Sequence, residues 1–263
     1  MTKINVNDIS INYQMEGKGK TIVFIHGLSD SLQYWNILTL NLKNDYKVLS
    51  FDLRGHGETT DSNKITTIDT YTEDLYCLLN ELKIEKAVFI GLSLGGNIAM
   101  NMAITHPEMV SGIIIMSSFP RHTPKLEKIF DDFQNAIDKG FIEFFDTILP
   151  YTITEDKIEE SEETLEFYKL EAAKTANVEG ISKGINAGYD FDISDKLSSI
   201  KVPALVIAGK EDDLTDLEIQ EEIHKNIEKS EMIIFEKTKH NILIGGNIEE
   251  ILNIINEFML KID

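Results

Sequence analysis

The sequence predicts an α/β protein built on a parallel sheet with helices on both faces, and three observations predict it. Short, continuous apolar runs alternate with amphipathic helical patterns along most of the chain. The connections between them are short, as strands joined by helical crossovers require. One such run, Val88-Phe89-Ile90, passes directly into Gly91-Leu92-Ser93-Leu94-Gly95-Gly96 and then into a helical pattern, so that strand, tight turn and helix follow without a linker.

In chain order, the alternation from Ile4 to Gln14 reads as a hairpin turning at Asn7-Asp8. Thr21 to Ile25 is apolar throughout and too short for a helix, which fits a strand buried on both faces. The loop His26-Gly27-Leu28-Ser29-Asp30 follows, then a helix over 32–42. A strand over 47–52 ends in the Gly-rich loop Leu53-Arg54-Gly55-His56-Gly57, and a helix is expected over 71–82. Behind Ser93, the residues Gly95, Gly96, Ala99 and Ala103 leave one side of the helix small enough to lie close to a sheet, and 111–116 is another buried strand.

The rhythm stops after Ser117. From Pro120 to Lys196 the pattern is helical and acidic, most of all from Glu155 to Glu163, yet Ile129, Phe130, Phe133 and Ile137 recur at helical spacing and must pack on something. The rhythm then resumes with a strand over 202–209, a helix over 217–227, a strand over 232–235 and a helix over 248–260. This organisation predicts one core domain made of residues 1–119 and 197–263, interrupted by a helical insertion over 120–196.

A chain of 263 residues that is 42% hydrophobic can bury a sizeable core. Its formal charge of −20 repels nucleic acid and anionic membrane surfaces, so neither is an expected partner. A single cysteine, Cys77, excludes a disulfide or a cysteine-based zinc site within one chain, and its apolar helical surroundings point to core packing. The first residues lack the apolar stretch of a signal peptide, and no apolar run reaches membrane-spanning length, so a cytoplasmic location is expected.

Gly-x-Ser-x-Gly between a strand and a helix is the context of a nucleophile elbow, which exposes Ser93 on a strained turn above a helix N-terminus. A serine hydroxyl needs a histidine to take its proton, and that histidine needs a carboxylate to orient it. Of the six histidines, His224 reads as a surface helix residue, His106 as a helix-end capping residue, and His26 and His56 as structural members of Gly-flanked loops. His122 lies in the insertion with no evident partner, whereas His240 falls in the loop after the last strand, where α/β folds place reactive groups. Three carboxylates, Glu211, Asp212 and Asp213, follow the strand over 202–209, and spacing alone leaves the choice among them open. The order serine, acid, histidine distinguishes this arrangement from other serine triads.

These residues together resemble the α/β-hydrolase superfamily over nearly the whole chain. His26-Gly27-Leu28 resembles its oxyanion loop, Asp52-Leu53-Arg54-Gly55-His56-Gly57 its D-x-R-G-H-G loop, and Gly91 to Gly96 its elbow. The resemblance implies a mostly parallel eight-stranded sheet flanked by helices, with 120–196 as a helical cap roofing the site. It selects Asp212 as the acid, ahead of Asp213 and Glu211. Two positions depart from the family's pattern: Asp216 stands where proline is usual, and Lys239 precedes His240 where glycine is frequent. The elbow implies an oxyanion hole made by the backbone N–H groups of Leu28 and Leu94. Trp35 is expected to pack in the core, Arg54 to hold its own loop, and Ser117 and Ser118, which lack flanking glycines, not to act as nucleophiles.

The implied activity is cleavage of a carboxylic ester in a small-molecule acyl substrate, carboxylesterase-like, with Ser93, His240 and Asp212 as triad and no metal or organic cofactor. Enol-lactonase, carbon–carbon hydrolase, perhydrolase and acyltransferase activities share that triad. The short loop Leu28-Ser29-Asp30-Ser31 disfavours the carbon–carbon hydrolases, and a serine at the elbow disfavours epoxide hydrolases and haloalkane dehalogenases. A small-molecule receptor on the same scaffold is the alternative from another class. The aromatic residues of the insertion suggest an apolar acyl or alcohol group, and its acidity suggests weak affinity for anionic substrates. The oligomeric state is not legible in the sequence.

Overall fold

The chain begins with a hairpin that turns where Asn7 takes a left-handed backbone (φ 48°), a conformation asparagine tolerates better than most residues. A computed structural model describes residues 2–245 and 248–262. Strands β1 (Thr2–Val6) and β2 (Ile9–Gly17) form this hairpin, followed by β3 (Thr21–Ile25), α1 (Asn36–Leu42), β4 (Lys47–Phe51), α2 (Ile68–Glu81), β5 (Ala87–Leu92), α3 (Leu94–Thr105) and β6 (Val110–Met116). Five helices come next: α4 (Pro124–Ile137), α5 (Phe141–Thr152), α6 (Glu155–Glu160), α7 (Glu162–Ala173) and α8 (Val178–Tyr189). The chain closes with β7 (Ala204–Gly209), α9 (Leu217–Asn226), β8 (Ser230–Phe235), α10 (Ile242–Gly245) and α11 (Ile248–Leu260).

The strands form one eight-stranded sheet in the order β1-β2-β4-β3-β5-β6-β7-β8. The pairs β1·β2 and β2·β4 are antiparallel, and the remaining pairs, from β4·β3 to β7·β8, are parallel. The two-sided burial expected of the apolar runs is visible in their alternation. In β3, Ile22 and Phe24 face the layer that contains Leu38 of α1 and Ile251 and Ile255 of α11, whereas Val23 and Ile25 face the layer of α2, α3 and α9. Each such residue taken fully out of water contributes roughly 1.5–3 kcal/mol, which is why these strands need no polar alternation.

Element boundaries shift where local capping was not read from the pattern. Helix α2 starts at Ile68 because Thr67 accepts the Thr70 N–H at 3.1 Å while the Thr70 hydroxyl accepts the Thr67 N–H at 3.2 Å. The helix expected over 32–42 opens as a 3₁₀ turn, Leu32–Trp35, capped by Ser31. Trp35 is fully buried and stacks on Phe24 at 4.6 Å between ring centres. Cys77 is half-buried rather than in the core, leaning on it from a helix face where its thiol meets Asn7.

Helices α4–α8 leave the sheet after β6 and return before β7, and their two ends are pinned together. Arg121 and Asp192 form an isolated antiparallel bridge, and the Ile193 N–H donates to the Pro120 carbonyl at 2.8 Å. Among the described residues no helix is long and apolar enough to cross a membrane.

Candidate active site

Ser93 follows β5, the fifth strand of the sheet order, and its backbone takes φ 53° and ψ −114°. A non-glycine residue holds such angles only when its surroundings impose them. Here the Ser93 carbonyl accepts three donors, from Gly96 N–H at 2.8 Å, Asn97 N–H at 3.1 Å and the Ser118 hydroxyl at 2.8 Å, while its own N–H continues the ladder to Met116. The turn also requires backbones to touch. A methyl group on Gly91 would lie 2.1 Å from the Gly95 carbonyl oxygen, and one on Gly95 would lie 2.1 Å from that of Ile25, so neither position admits a larger residue. Ser93 stands at the N-cap of α3, whose first N–H groups find no partner inside the helix.

The acid and the histidine come from adjacent strand ends. Glycine at 209 allows this: a methyl group there would meet the Lys239 and Thr238 carbonyl oxygens at 2.3 and 2.4 Å, so the loops after β7 and β8 pass in contact. Asp212 accepts from His240 Nδ1 at 2.9 Å, from the Leu214 and Thr215 N–H groups at 2.9 Å each and from the Thr215 hydroxyl at 2.7 Å. Burial alone would raise the Asp212 carboxyl; the His240 ring and the Thr215 donors outweigh it and hold the group below the usual carboxylate range. The proton on Nδ1 is assigned from that carboxylate contact, which leaves Nε2 as the lone-pair nitrogen. Asp212 and His240 are both buried, whereas Glu211 and Asp213 are exposed.

Ser93 and His240 line one cavity of about 620 Å³, together with Leu28, Leu94 and aromatic residues of α4 and α5 such as Phe130 and Phe141. Ser93 Oγ and His240 Nε2 are not hydrogen-bonded to each other here; apo sites commonly hold such pairs long. Leu28 N–H donates to no protein acceptor among the described residues and Leu94 opens α3, so both are available to an anion in the cavity. The His240 loop is tied to the helices above it: the Asn241 N–H donates to the Thr152 carbonyl at 2.8 Å and Lys239 Nζ to that of Pro150 at 2.7 Å. These are carbonyls of the last turn of α5, which the helix itself leaves unpaired.

The other singled-out residues are structural. His26 bridges the Gly27 carbonyl and the Leu53 N–H, and burial pushes it down to about 3, so it is neutral. Arg54 is buried and binds Asp74 through two bonds of 2.8 Å, plus Asp8 and Ser62. His106 is the C-cap of α3, its backbone N–H donating to the Met102 carbonyl, and its side chain pairs with Glu73 at 2.8 Å and stacks on Tyr76. His122 is packed among Phe119, Phe130 and Tyr189, with the Gly188 backbone as its polar neighbour. Asp216, where proline was the family's habit, caps α9 by accepting the Ile219 N–H. Two supporting roles, those of Thr215 and Ser118, were not read from the sequence, where Ser118 was weighed only as a nucleophile. Thr215 had a local signal, since Asp-x-x-Thr is a spacing at which an aspartate side chain captures the following backbone; Ser118 had none. Among the described residues no group of three or more His, Cys, Asp or Glu side chains is placed to hold a metal ion.

The sequence profile described as alpha/beta hydrolase fold matches residues 20–246. The chain belongs to the α/β-hydrolase family. Within this family, it is 27% identical over 214 residues to a 3-oxoadipate enol-lactonase of Acinetobacter baylyi, covering 81% of this chain and 79% of the relative. It is 26% identical over 267 residues to a pimeloyl-[acyl-carrier protein] methyl ester esterase of Aliivibrio fischeri, covering 93% and 97%. Among solved α/β-hydrolase structures, the enol-lactonase from Burkholderia xenovorans superposes with a TM-score of 0.89 at 25% identity, covering 98% of this chain and 100% of that one. MGS-M2, an alpha/beta hydrolase from a deep-sea metagenome library, superposes at 0.92 with 20% identity, covering 98% and 97%, which shows the fold alone.

Proposed function

We propose that this α/β-hydrolase is an enzyme cleaving carboxylic esters of small acyl substrates, with Ser93, His240 and Asp212 as its triad and residues 120–196 as the cap over the site. The observation that carries the reading is the buried Asp212–His240 hydrogen bond, with His240 lining the same cavity as Ser93, which the strained elbow delivers there. His240 Nε2 takes the proton of Ser93 Oγ as that oxygen forms a bond to the ester carbonyl carbon. The resulting oxyanion is met by the N–H groups of Leu28 and Leu94, one such donor being worth on the order of 3 kcal/mol. His240 then passes the proton to the leaving alcohol, and a water molecule, activated by the same nitrogen, releases the acid. Asp212, held ionised by four donors, keeps the ring in the needed tautomer and stabilises its transient positive charge.

The resemblance to proteins named as esterases and enol-lactonases supports ester chemistry, a lactone being a cyclic ester. No lysine or arginine lines the cavity among the described residues, which favours uncharged or cationic esters over those carrying a carboxylate. Ser93→Ala is the test: hydrolysis of p-nitrophenyl acetate should fall by at least about 10⁴-fold with the melting temperature retained. Undiminished turnover would remove Ser93 from the reaction.

A further inference from the structure

Asp30 lies two residues beyond Leu28, in the wall of the cavity that Ser93 and His240 share. Its carboxylate makes no hydrogen bond or ion pair with any described residue; its backbone N–H alone is engaged, with the Gly27 carbonyl at 3.4 Å. The contrast with neighbouring carboxylates is sharp. Asp52, at the end of β4, accepts from Leu32 N–H, Glu58 N–H and Asn12 Nδ2, and Asp74 of α2 accepts from Arg54. Among nearby donors, the Tyr34 hydroxyl is committed to Asn241 Oδ1 at 2.7 Å, and neither Ser29 nor Ser31, which flank Asp30, bonds its carboxylate. Burial pushes the Asp30 carboxyl up to about 7, with no cation close enough to offset it. A half-buried carboxylate in a cavity wall without a partner costs stability, and such groups persist chiefly where they serve a site.

We propose that Asp30 is a specificity-determining residue whose carboxylate accepts a hydrogen bond from an ammonium-type group of the substrate while its ester lies at Ser93, and that it turns away substrates bearing a carboxylate. The inference rests on the ester-hydrolase reading of this cavity. A cationic group supplies what the wall lacks, since no lysine or arginine among the described residues lines the cavity to offer a charge-assisted donor. The chain's net charge of −20 adds a long-range field that gathers cations and repels anions.

The test is a set of methyl esters with one methylene chain and different ends: methyl 6-aminohexanoate, methyl 6-hydroxyhexanoate, methyl heptanoate and monomethyl pimelate. kcat/KM is measured for each with the wild type, Asp30→Asn and Asp30→Ser, the last guarding against a folding defect peculiar to one substitution. Dissociation constants for the same esters are measured by calorimetry in Ser93→Ala with and without Asp30→Asn. The ammonium-to-carboxylate preference of the wild type should fall by roughly tenfold or more in both variants, in turnover and in binding alike, the size expected for one lost charge-assisted contact. A fall of less than threefold overturns the assignment, as does a wild-type preference for the hydroxyl ester over the ammonium ester. Absence of turnover with the binding preference shifting as expected would sink the ester-hydrolase reading and leave Asp30 in its role. Turnover of the neutral ester with an unmoved preference would do the reverse.

Discussion

At the carboxyl ends of β5, β7 and β8, side chains are placed by hydrogen bonds; across the cavity, in α4–α8, they are placed by apolar contact. Asp212 is fixed by four donors and the Ser93 carbonyl by three. Phe133, by contrast, is held by rings, with Phe130 at 6.0 Å, Phe144 at 5.9 Å and Tyr151 at 5.7 Å between centres. Hydrogen bonds are directional and fix an atom to tenths of an ångström, as catalysis requires. Ring packing fixes a volume and tolerates rearrangement, as a binding wall requires. The extreme of the second regime is α7, which has no buried residue and leaves Phe167 67% exposed, yet supplies Leu165 to the cavity. The difference is one of tolerance: the strand ends hold individual atoms in place, and the helical layer holds a volume.

The largest expected effect breaks the directional side. Asp212→Asn keeps the shape but cannot hold the same His240 tautomer, so kcat should fall by roughly 10⁴-fold with KM little changed. Steady-state kinetics with p-nitrophenyl acetate decides this, and a loss confined to KM would mean that Asp212 only shapes the pocket. Next, Phe133→Ala opens a void within the ring cluster and should cost about 3–5 kcal/mol in urea unfolding. A cost below about 1 kcal/mol would show that the helical layer collapses readily onto lost volume.

The smallest effect separates two carboxylates, Asp30 in the cavity wall and Asp212, which holds His240. Asp30 stands near 7 in the folded chain against 3.8 when free, so between those values the folded state binds a proton that the unfolded state has released. Stability contributed by that proton is therefore lost as pH rises through this window. Asp30→Asn should melt a few degrees above the wild type at pH 8, with the gap closing below about pH 4. Asp212 carries the opposite sign, its depressed carboxyl adding stability at neutral pH that is lost in acid. Thermal melts across pH check both, and a gap for Asp30→Asn that did not vary with pH would refute the first.

Much of the site was legible because its parts are local. Gly91, Ser93 and Gly95 announce a strand–turn–helix by themselves, and His26-Gly27-Leu28 follows its strand directly. The residue pattern left Asp212 and Asp213 open and the family resemblance alone selected Asp212, because the choice is not local. Both follow the same strand, and only the close passage of the two loops at Gly209 buries one and leaves the other in water. Cys77, read as core, is only half-buried for a similar reason: helical periodicity says which face is apolar but not how much neighbouring surface covers it.

By itself, then, the sequence determined the α/β class, the strand and helix succession and the nucleophile's turn. Each of these follows from hydrophobic period, chain stiffness or steric demand within a few residues. Only the tertiary structure showed Asp212 buried against His240, Ser118 bracing the elbow and the Asp30 carboxylate in the cavity wall with no hydrogen bond from a described residue. Those facts depend on residues far apart in the chain arriving at one place, and burial and partnership exist only once the strands have been brought side by side.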